Sequence, residues 1–398
     1  MKDVGNTPLR LGVIGLGRAA ALMIPGLTGH PHVRLTAGAD PNPLARERFE
    51  AEFGGRAYPD AEGLCAGGLV DAVYIATPHA QHAPDVLVAA RYGKHVLVEK
   101  PMALTLADCR AMTSAAEQAG IAMVVGHTHG FNEPTAMMAR LIRSGDFGRL
   151  RLIVNMVYTN FLYRPRRPEE LDSALGGGIM YNQVPHQIEL ARSLATGQLE
   201  RVRAVTGVWD PARPTEGALA AFLTFSDGAV AQLTYSGYDR FDTDEFHWWI
   251  GESGNEKAPD AYGATRQSLL ALDGVEHERA MRVAMGYGGQ GVLRSSGSMH
   301  EPHFGLLIAS CEGADLRPSP DGVLIYGNDG VREIRTVPAR VYPNKDSVID
   351  EFYAAVVDGV PPVHDGAWAT ATTAAMLALV ASARDGRDVA VAEMAAAP

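Results

Sequence analysis

The chain has 398 residues, 46% hydrophobic and 20% charged, which is enough for two domains with their own cores. Its formal net charge of -11 argues against nucleic acid or an anionic membrane surface as the main partner. Cys65, Cys109 and Cys311 stand far apart, so neither a disulfide framework nor a cysteine zinc site is suggested; with no signal-peptide pattern at Met1–Arg10, the expected location is the cytoplasm.

Leu9 to Ile14 reads as a strand that runs directly into Gly15-Leu16-Gly17-Arg18-Ala19-Ala20 and then an apolar helix, Ala21 to Leu27. In G-x-G-x-x-A the first glycine permits a tight turn and the second lets backbone approach a pyrophosphate. The small Ala20 then allows close helix–strand packing. The next strand, Val33 to Ala39, ends at Asp40, about where an acidic residue hydrogen-bonds the adenosine ribose. An aspartate repels a 2'-phosphate, which favours NAD over NADP. Arg46 and Arg48 keep NADP open, and a turn residue before Pro41 is the plainer reading of Asp40.

A third strand, Asp71 to Ala76, ends at Thr77-Pro78, followed by His79 and His82 and a helix over Pro84 to Tyr92. Val96 to Val98 is a short apolar strand that ends at Glu99-Lys100-Pro101, and Ile121 to Val125 is the next. Alternating strands and helices predict an α/β doubly wound parallel sheet, a Rossmann domain over residues 1–126. In such sheets ligands bind outside the carboxyl ends of the strands, which is where Lys100 lies. On the stretch alone, a lysine snorkelling from a strand end into water is the favoured reading of Lys100.

Residues 127–398 change character. After a helix at about Pro134 to Ser144 come β-rich runs at Leu150–Tyr158, Arg201–Val208, Gly217–Phe225, Ala229–Tyr235 and Phe246–Gly251, with a hairpin signal at Ser226-Asp227-Gly228. They predict an α+β domain on a large, mostly antiparallel sheet, for substrate binding and oligomerisation. Tyr262 to Ser298 reads as a long irregular region. Helices are expected again at Ser347–Asp358 and Ala367–Arg384, the latter a packed helix and not a membrane span.

Gly176-Gly177-Gly178 is followed by Asn182, Pro185 and His186 at the start of an apolar helix, Ile188 to Leu194. If the helix runs through Asn182, that residue and His186 share one face. Pro185, suited to a first helical turn, would leave Asn182 outside. A histidine is the natural proton acceptor when an alcohol is oxidised, although an isolated one is more often a satisfied core residue. Upstream, Tyr163-Arg164-Pro165-Arg166-Arg167 suits carboxylate recognition, with a solvated basic loop as the equal alternative. His127 and His129 follow a strand end and read as pocket lining. No metal site is expected from His127/His129 or His300/His303, which lack further ligands at characteristic spacing.

Taken together, these residues resemble the Gfo/Idh/MocA oxidoreductase family over nearly the whole chain. The likeness rests on the Gly15 turn, Thr77-Pro78 with His82, Gly93-Lys94-His95-Val96 leading into Glu99-Lys100-Pro101, and three glycines followed by His186. It implies an NAD-dependent dehydrogenase with the cofactor against Gly15, Gly17, Arg18, Ala19, Asp40, Thr77, Pro78, His79, His82, Glu99, Lys100 and Pro101. It also implies that Lys100 lies beside the nicotinamide, that His186 relays the proton, that Pro101 has an unusual peptide geometry, and that the assembly is a homodimer or homotetramer. The family pattern places an aspartate where this chain has Asn182, so the relay is expected to rest on Lys100 and His186.

Gly126-His127-Thr128-His129 departs from the form seen in sugar-oxidising relatives. Tyr158 to Gly178, Trp209 to Gly217 and Ile308 to Glu312 look most like the phthalate dihydrodiol dehydrogenase branch. That resemblance implies oxidation of a carboxylated cis-dihydrodiol to a catechol, with Tyr163, Arg164, Arg166, Arg167, His127 and His129 around the substrate. The competing expectations are a sugar, inositol or polyol dehydrogenase, a non-catalytic NAD-binding regulator, and a redox-neutral hydrolase or lyase that recycles bound NAD.

Overall fold

The computed structural model describes residues 8–126, 129–272, 274–289, 300–336 and 343–396. The chain divides into two compact units. The first draws on Met1–Gly126, Ala280–Arg294 and Arg340–Thr370, the second on His127–Arg279, Ser295–Ala339 and Ala371–Pro398.

Six strands form the sheet of the first unit: β1 (Leu9–Ile14), β2 (Val33–Ala39), β3 (Arg56–Tyr58), β4 (Ala72–Ile75), β5 (His95–Glu99) and β6 (Met123–Gly126). Their order is β3-β2-β1-β4-β5-β6, and every pairing is parallel. The strands are nearly continuous apolar runs, as a sheet covered on both faces demands; Val13, Val73, Tyr74, Ile75, Val96, Leu97 and Val98 are fully buried. The helices α1 (Arg18–Gly29), α2 (Pro43–Phe53), α3 (Ala61–Ala66), α4 (His82–Arg91) and α5 (Leu106–Ala119) supply the crossovers. Asn42, Asp60 and Thr105 cap α2, α3 and α5 with side-chain oxygens. The order of strands reverses between β1 and β4, which puts a crevice at the ends of those two strands.

The second unit is built on nine strands: β7 (Leu150–Tyr158), β8 (Leu199–Gly207), β9 (Ala218–Phe225), β10 (Val230–Ser236), β11 (Leu306–Cys311), β12 (Ala314–Ser319), β13 (Gly322–Gly327), β14 (Gly330–Arg335) and β15 (Val389–Ala390). The order is β14-β13-β12-β11-β7-β10-β9-β8-β15, antiparallel throughout except for β10 against β7. The turn at Ser226-Asp227-Gly228 joins β9 to β10 as a hairpin, with Gly228 at φ +84. Helices α6 (Glu133–Ser144), α7 (Gly178–Asn182) and α8 (Val184–Leu194) belong to this unit. Met138, Ile142, Val184, Ile188 and Leu194 bury their side chains in the same core as Leu223, Leu233 and Leu316 of the sheet.

Two sequence expectations fail here. Phe246–Gly251 is not a strand: Asp242 caps a 3-10 turn over Thr243–His247 through the Asp244 amide, and Trp248 and Trp249 follow with φ of 54° and 59°. A polar cap and two left-handed residues cannot continue an extended chain, whatever the aromatic content. The stretch Tyr262–Ser298 is not one irregular loop, since it contains α9 (Ala264–Leu270) and α10 (Gly274–Ala284); residues 290–298 lie outside the described ones. Helix α11 (Pro343–Tyr353) is followed by the Ala-rich helix α12 (Gly366–Asp385), which is long and apolar enough to cross a membrane but buries Ala375, Met376, Ala378 and Leu379 in the core of the second unit.

Candidate active site

In the first unit the crevice begins at Gly15. Its φ of +87 and the close approach of β4 both require glycine, because a Cβ there would lie 2.8 Å from the Ala76 carbonyl. Gly17 is the N-cap of α1 and offers no side-chain cap to the helix amides; a Cβ built on it would meet no atom within 4 Å. Exposed amides at a helix start beside an open glycine are a cradle for phosphate. Asp40 follows β2 and accepts hydrogen bonds from the Leu16 amide (2.8 Å) and the Asn42 amide (2.8 Å), which fixes its carboxylate beside the turn. Arg46 donates to the carbonyls of Asp40 and Pro41, and Arg48 to that of Tyr287 (2.6 Å), so both guanidinium groups are tied to backbone. These residues fit a dinucleotide whose adenosine ribose carries no 2'-phosphate.

Across the crevice, His82 organises the ends of β4 and β5. The ring is fully buried, with Nδ1 at 2.9 Å from the Pro101 carbonyl and Nε2 at 3.0 Å from the Thr77 carbonyl. Burial holds its pKa below the ordinary value despite these oxygens, so the neutral ring can donate to only one of them. Thr77 is also fixed by its hydroxyl, which donates to Asp85 (2.8 Å). The Lys100–Pro101 peptide bond is cis. Glu99 accepts a hydrogen bond from Tyr74 (2.7 Å), whose phenol is pushed well above its usual range by burial and by that carboxylate. Lys100 is half-buried directly after the strand, His79 packs edge-on against His82 at 5.7 Å, and Pro78 is exposed.

The second unit carries its own buried cluster. Gln187 donates to the backbone and side-chain oxygens of Asn155 and to the Thr234 carbonyl, while Asn155 donates to the Phe304 carbonyl (2.8 Å). This network locks α8 onto β7 and β10 and thereby sets the neighbouring His186, only 4% exposed. The His186 ring meets His129 edge-on at 4.6 Å, and Phe304 packs on both. His129 accepts from Asn132 at Nδ1 (3.3 Å) and faces Glu252 at Nε2 (3.2 Å), an arrangement that assigns the proton to Nε2. The other oxygen of Glu252 accepts from Arg164 (3.3 Å). Burial would raise the Glu252 carboxyl, yet the His129 bond and the Arg164 charge hold it well below the usual carboxylate range. Arg164 also donates from Nε to Asn160 (2.7 Å) and from Nη2 to Thr159 (3.2 Å); Nη1 has no hydrogen bond among the described residues.

Residues 9–127 match the family described as "Oxidoreductase family, NAD-binding Rossmann fold", and residues 135–255 match the "GFO/IDH/MocA C-terminal domain". The chain belongs to the Gfo/Idh/MocA oxidoreductase family. It is 41% identical over 375 residues to the 1-carboxy-3-chloro-3,4-dihydroxycyclohexa-1,5-diene dehydrogenase of Comamonas testosteroni, a match covering 94% of each chain. A solved structure described as a dehydrogenase from Bordetella bronchiseptica RB50 is 40% identical, with a TM-score of 0.91 over 96% of this chain and 100% of the other. An inositol 2-dehydrogenase of Saccharopolyspora erythraea is 34% identical over 204 residues, covering 50% of this chain and 57% of the relative. The protein is thus an NAD-dependent dehydrogenase.

Within this Gfo/Idh/MocA fold the expected residues fall into groups. Gly15, Gly17, Asp40, Thr77, His82 and the Glu99-Lys100-Pro101 stretch gather at the strand ends of the first unit, with Arg18 and Ala19 opening α1. His82 serves there as a buried support. His186, His129 and Arg164 form one cluster in the second unit. Asn182 ends α7, whereas His186 lies on α8 with Pro185 in its first turn, so the two are not on one helix. The Asn182 amide donates to the carbonyls of Gly176 (3.2 Å) and Gly178 (2.8 Å), bonds an aspartate could not make.

The other arginines are turned elsewhere. Arg167 pairs with Glu169 (3.3 Å) and Glu170 (3.2 Å), and Arg166 stacks on Phe161 at 3.9 Å and donates to its carbonyl. Tyr163 and Arg166 line a separate cleft of about 550 Å³ in the second unit, walled by Leu269, Leu270 and Val275 and by the buried Arg213–Glu278 pair. Tyr163 donates to Asp210 (2.6 Å). His127 lies outside the described residues. Glu252 was not expected: the only signal is an acid in Gly251-Glu252-Ser253-Gly254, next to an aromatic run. Phe304 has no local signature at all.

Proposed function

We propose that this enzyme oxidises a cyclohexadiene cis-diol bearing a ring carboxylate to the corresponding catechol. The observation that carries the reading is Arg164, held by Glu252 within the His129–His186 cluster and keeping one terminal nitrogen for an incoming carboxylate. Arg164 and Glu252 nearly cancel in charge, so a substrate anion would make the cluster's second charge-assisted partner for the guanidinium. The Comamonas testosteroni relative acts, by its name, on a carboxylated dihydroxycyclohexadiene, which supports the same substrate class here.

The bound NAD supplies the hydride acceptor. His186, set by α8 and buried against His129 and Phe304, is assigned the hydroxyl proton. Lys100, fixed after β5 by the His82 link between Thr77 and Pro101, is assigned to stabilising the same oxygen as its proton leaves. Asn182 cannot accept a proton and is assigned to holding the Gly176–Gly178 backbone. Loss of hydride and proton gives a hydroxy-dienone that tautomerises to the catechol, so aromatisation drives the reaction. The protein's task is positioning and the handling of one proton.

Arg164→Met tests the carboxylate assignment. KM for a carboxylated diol should rise by about tenfold or more, while turnover of an uncarboxylated diol stays within about twofold. An equal loss on both substrates would refute it.

A further inference from the structure

The segment Met285–Gly289 lies in the first unit against the glycine turn, and no role in the chemistry above calls for it. The Tyr287 amide donates to the Gly17 carbonyl (3.3 Å), the residue whose backbone faces the pyrophosphate in this fold. Its ring is 2% exposed, stacks on Phe53 at 6.0 Å and donates through its hydroxyl to Glu52 (2.7 Å). Arg48 completes the anchor. Its guanidinium lies 4.8 Å from the Tyr287 ring centre, donates to the carbonyls of Tyr287 and Gly289, and sits 3.5 Å from Glu52.

The segment can approach α2 this closely because a Cβ on Gly288 would come within 3.1 Å of Ala45. It runs along the carbonyl side of Gly17 and leaves the side that a Cβ would occupy open. Tyr287 therefore ties the N-cap residue of α1 to the surface of α2 from outside the cradle. The Gly17 carbonyl also accepts the Ala21 amide of α1 (3.1 Å), and Asp40 holds the Leu16 amide, so Tyr287 adds a tie from α2 to a turn already bonded on its other sides.

We propose that Gly286-Tyr287-Gly288-Gly289 is a positioning element of the NAD site, with Tyr287 as its anchor. By clamping the Gly17 carbonyl it fixes the direction of the turn's amides before the pyrophosphate arrives. Preorganised donors lose less order on binding, and such gains are seen mostly as slower dissociation.

The test is the NADH dissociation rate, followed by stopped-flow fluorescence on the full-length protein, with thermal stability measured beside it. Tyr287→Ala keeps the backbone amide but removes the buried ring that holds the segment against α2, and should raise the rate about tenfold. Arg48→Met, at a side chain 34% exposed and so tolerant of substitution, should raise it about threefold. Tyr287→Phe, which keeps the ring and the backbone bond, should stay within about twofold of the parent. A dissociation rate unchanged in both Tyr287→Ala and Arg48→Met, even with a lowered Tm, would overturn the proposal. If Tyr287→Ala does not fold, an unchanged rate in Arg48→Met alone overturns it.

Discussion

Replacing Glu252 by Gln removes one charge from the second unit's cluster and nearly preserves its shape. The carboxylate receives two bonds, from His129 at 3.2 Å and Arg164 at 3.3 Å. Each charge-assisted bond contributes about 1.5–3 kcal/mol when short and dry. These are long, and the Glu252 side chain is 35% exposed, so the low end applies to both. Glutamine retains about one neutral bond, which leaves a net loss of about 2 kcal/mol. For a folding unit of this size that corresponds to a fall in Tm of about 4–8 °C. The sign of the pH dependence follows from the depressed carboxyl. Its stabilisation is complete above the ordinary value of 4.5 and is lost as pH falls toward the lower folded value. Thermal melts of both proteins from neutral pH into acid should therefore show a constant gap that closes below about pH 4.5. Equal Tm at neutral pH, or a gap that widens in acid, would refute the reasoning.

Three further outcomes are expected. Lys100→Met should lower kcat by about 10²–10⁴ with NADH binding retained, checked by fluorescence titration; near-parental turnover would make Lys100 purely structural. Asn182→Asp would set a carboxylate oxygen against the Gly176 and Gly178 carbonyls, costing about 1–3 kcal/mol of stability with no gain in turnover; a more active variant of unchanged Tm would contradict this. Asp40→Ala should raise the KM for NAD about tenfold and narrow its advantage over NADP, as measured by initial rates with each cofactor.

Local signals carried the first unit well. The strand at Leu9–Ile14, the Gly15 turn and the strand ending at Asp40 each announce themselves, because a parallel sheet demands continuous apolar runs and a tight turn demands glycine. The second unit was legible only in part. The runs that became β7, β9 and β10 were clear, but the meander β11–β14 was not, since β14 is largely exposed and carries little apolar alternation. Helices α9 and α10 escaped notice because each is short and mostly exposed, with few core positions to mark a period.

At the site, residue types were readable but partnerships were not. His186 and Arg164 can be chosen from sequence. That Arg164 is shared with Glu252, 88 residues away, while Arg166 and Arg167 turn to Phe161, Glu169 and Glu170, is a tertiary fact. Tyr287 is similar: nothing near it in the chain points to Gly17, 270 positions earlier.

The most direct measurement is NADH formation with a panel of cyclohexadiene cis-diols, with and without ring carboxylates, alongside inositol and simple sugars. The account predicts NADH and a catechol from the carboxylated diols, with kcat/KM about a hundredfold above their uncarboxylated counterparts, the value of one buried charge pair. No NADH from any cis-diol, together with efficient oxidation of a sugar or inositol, would contradict it.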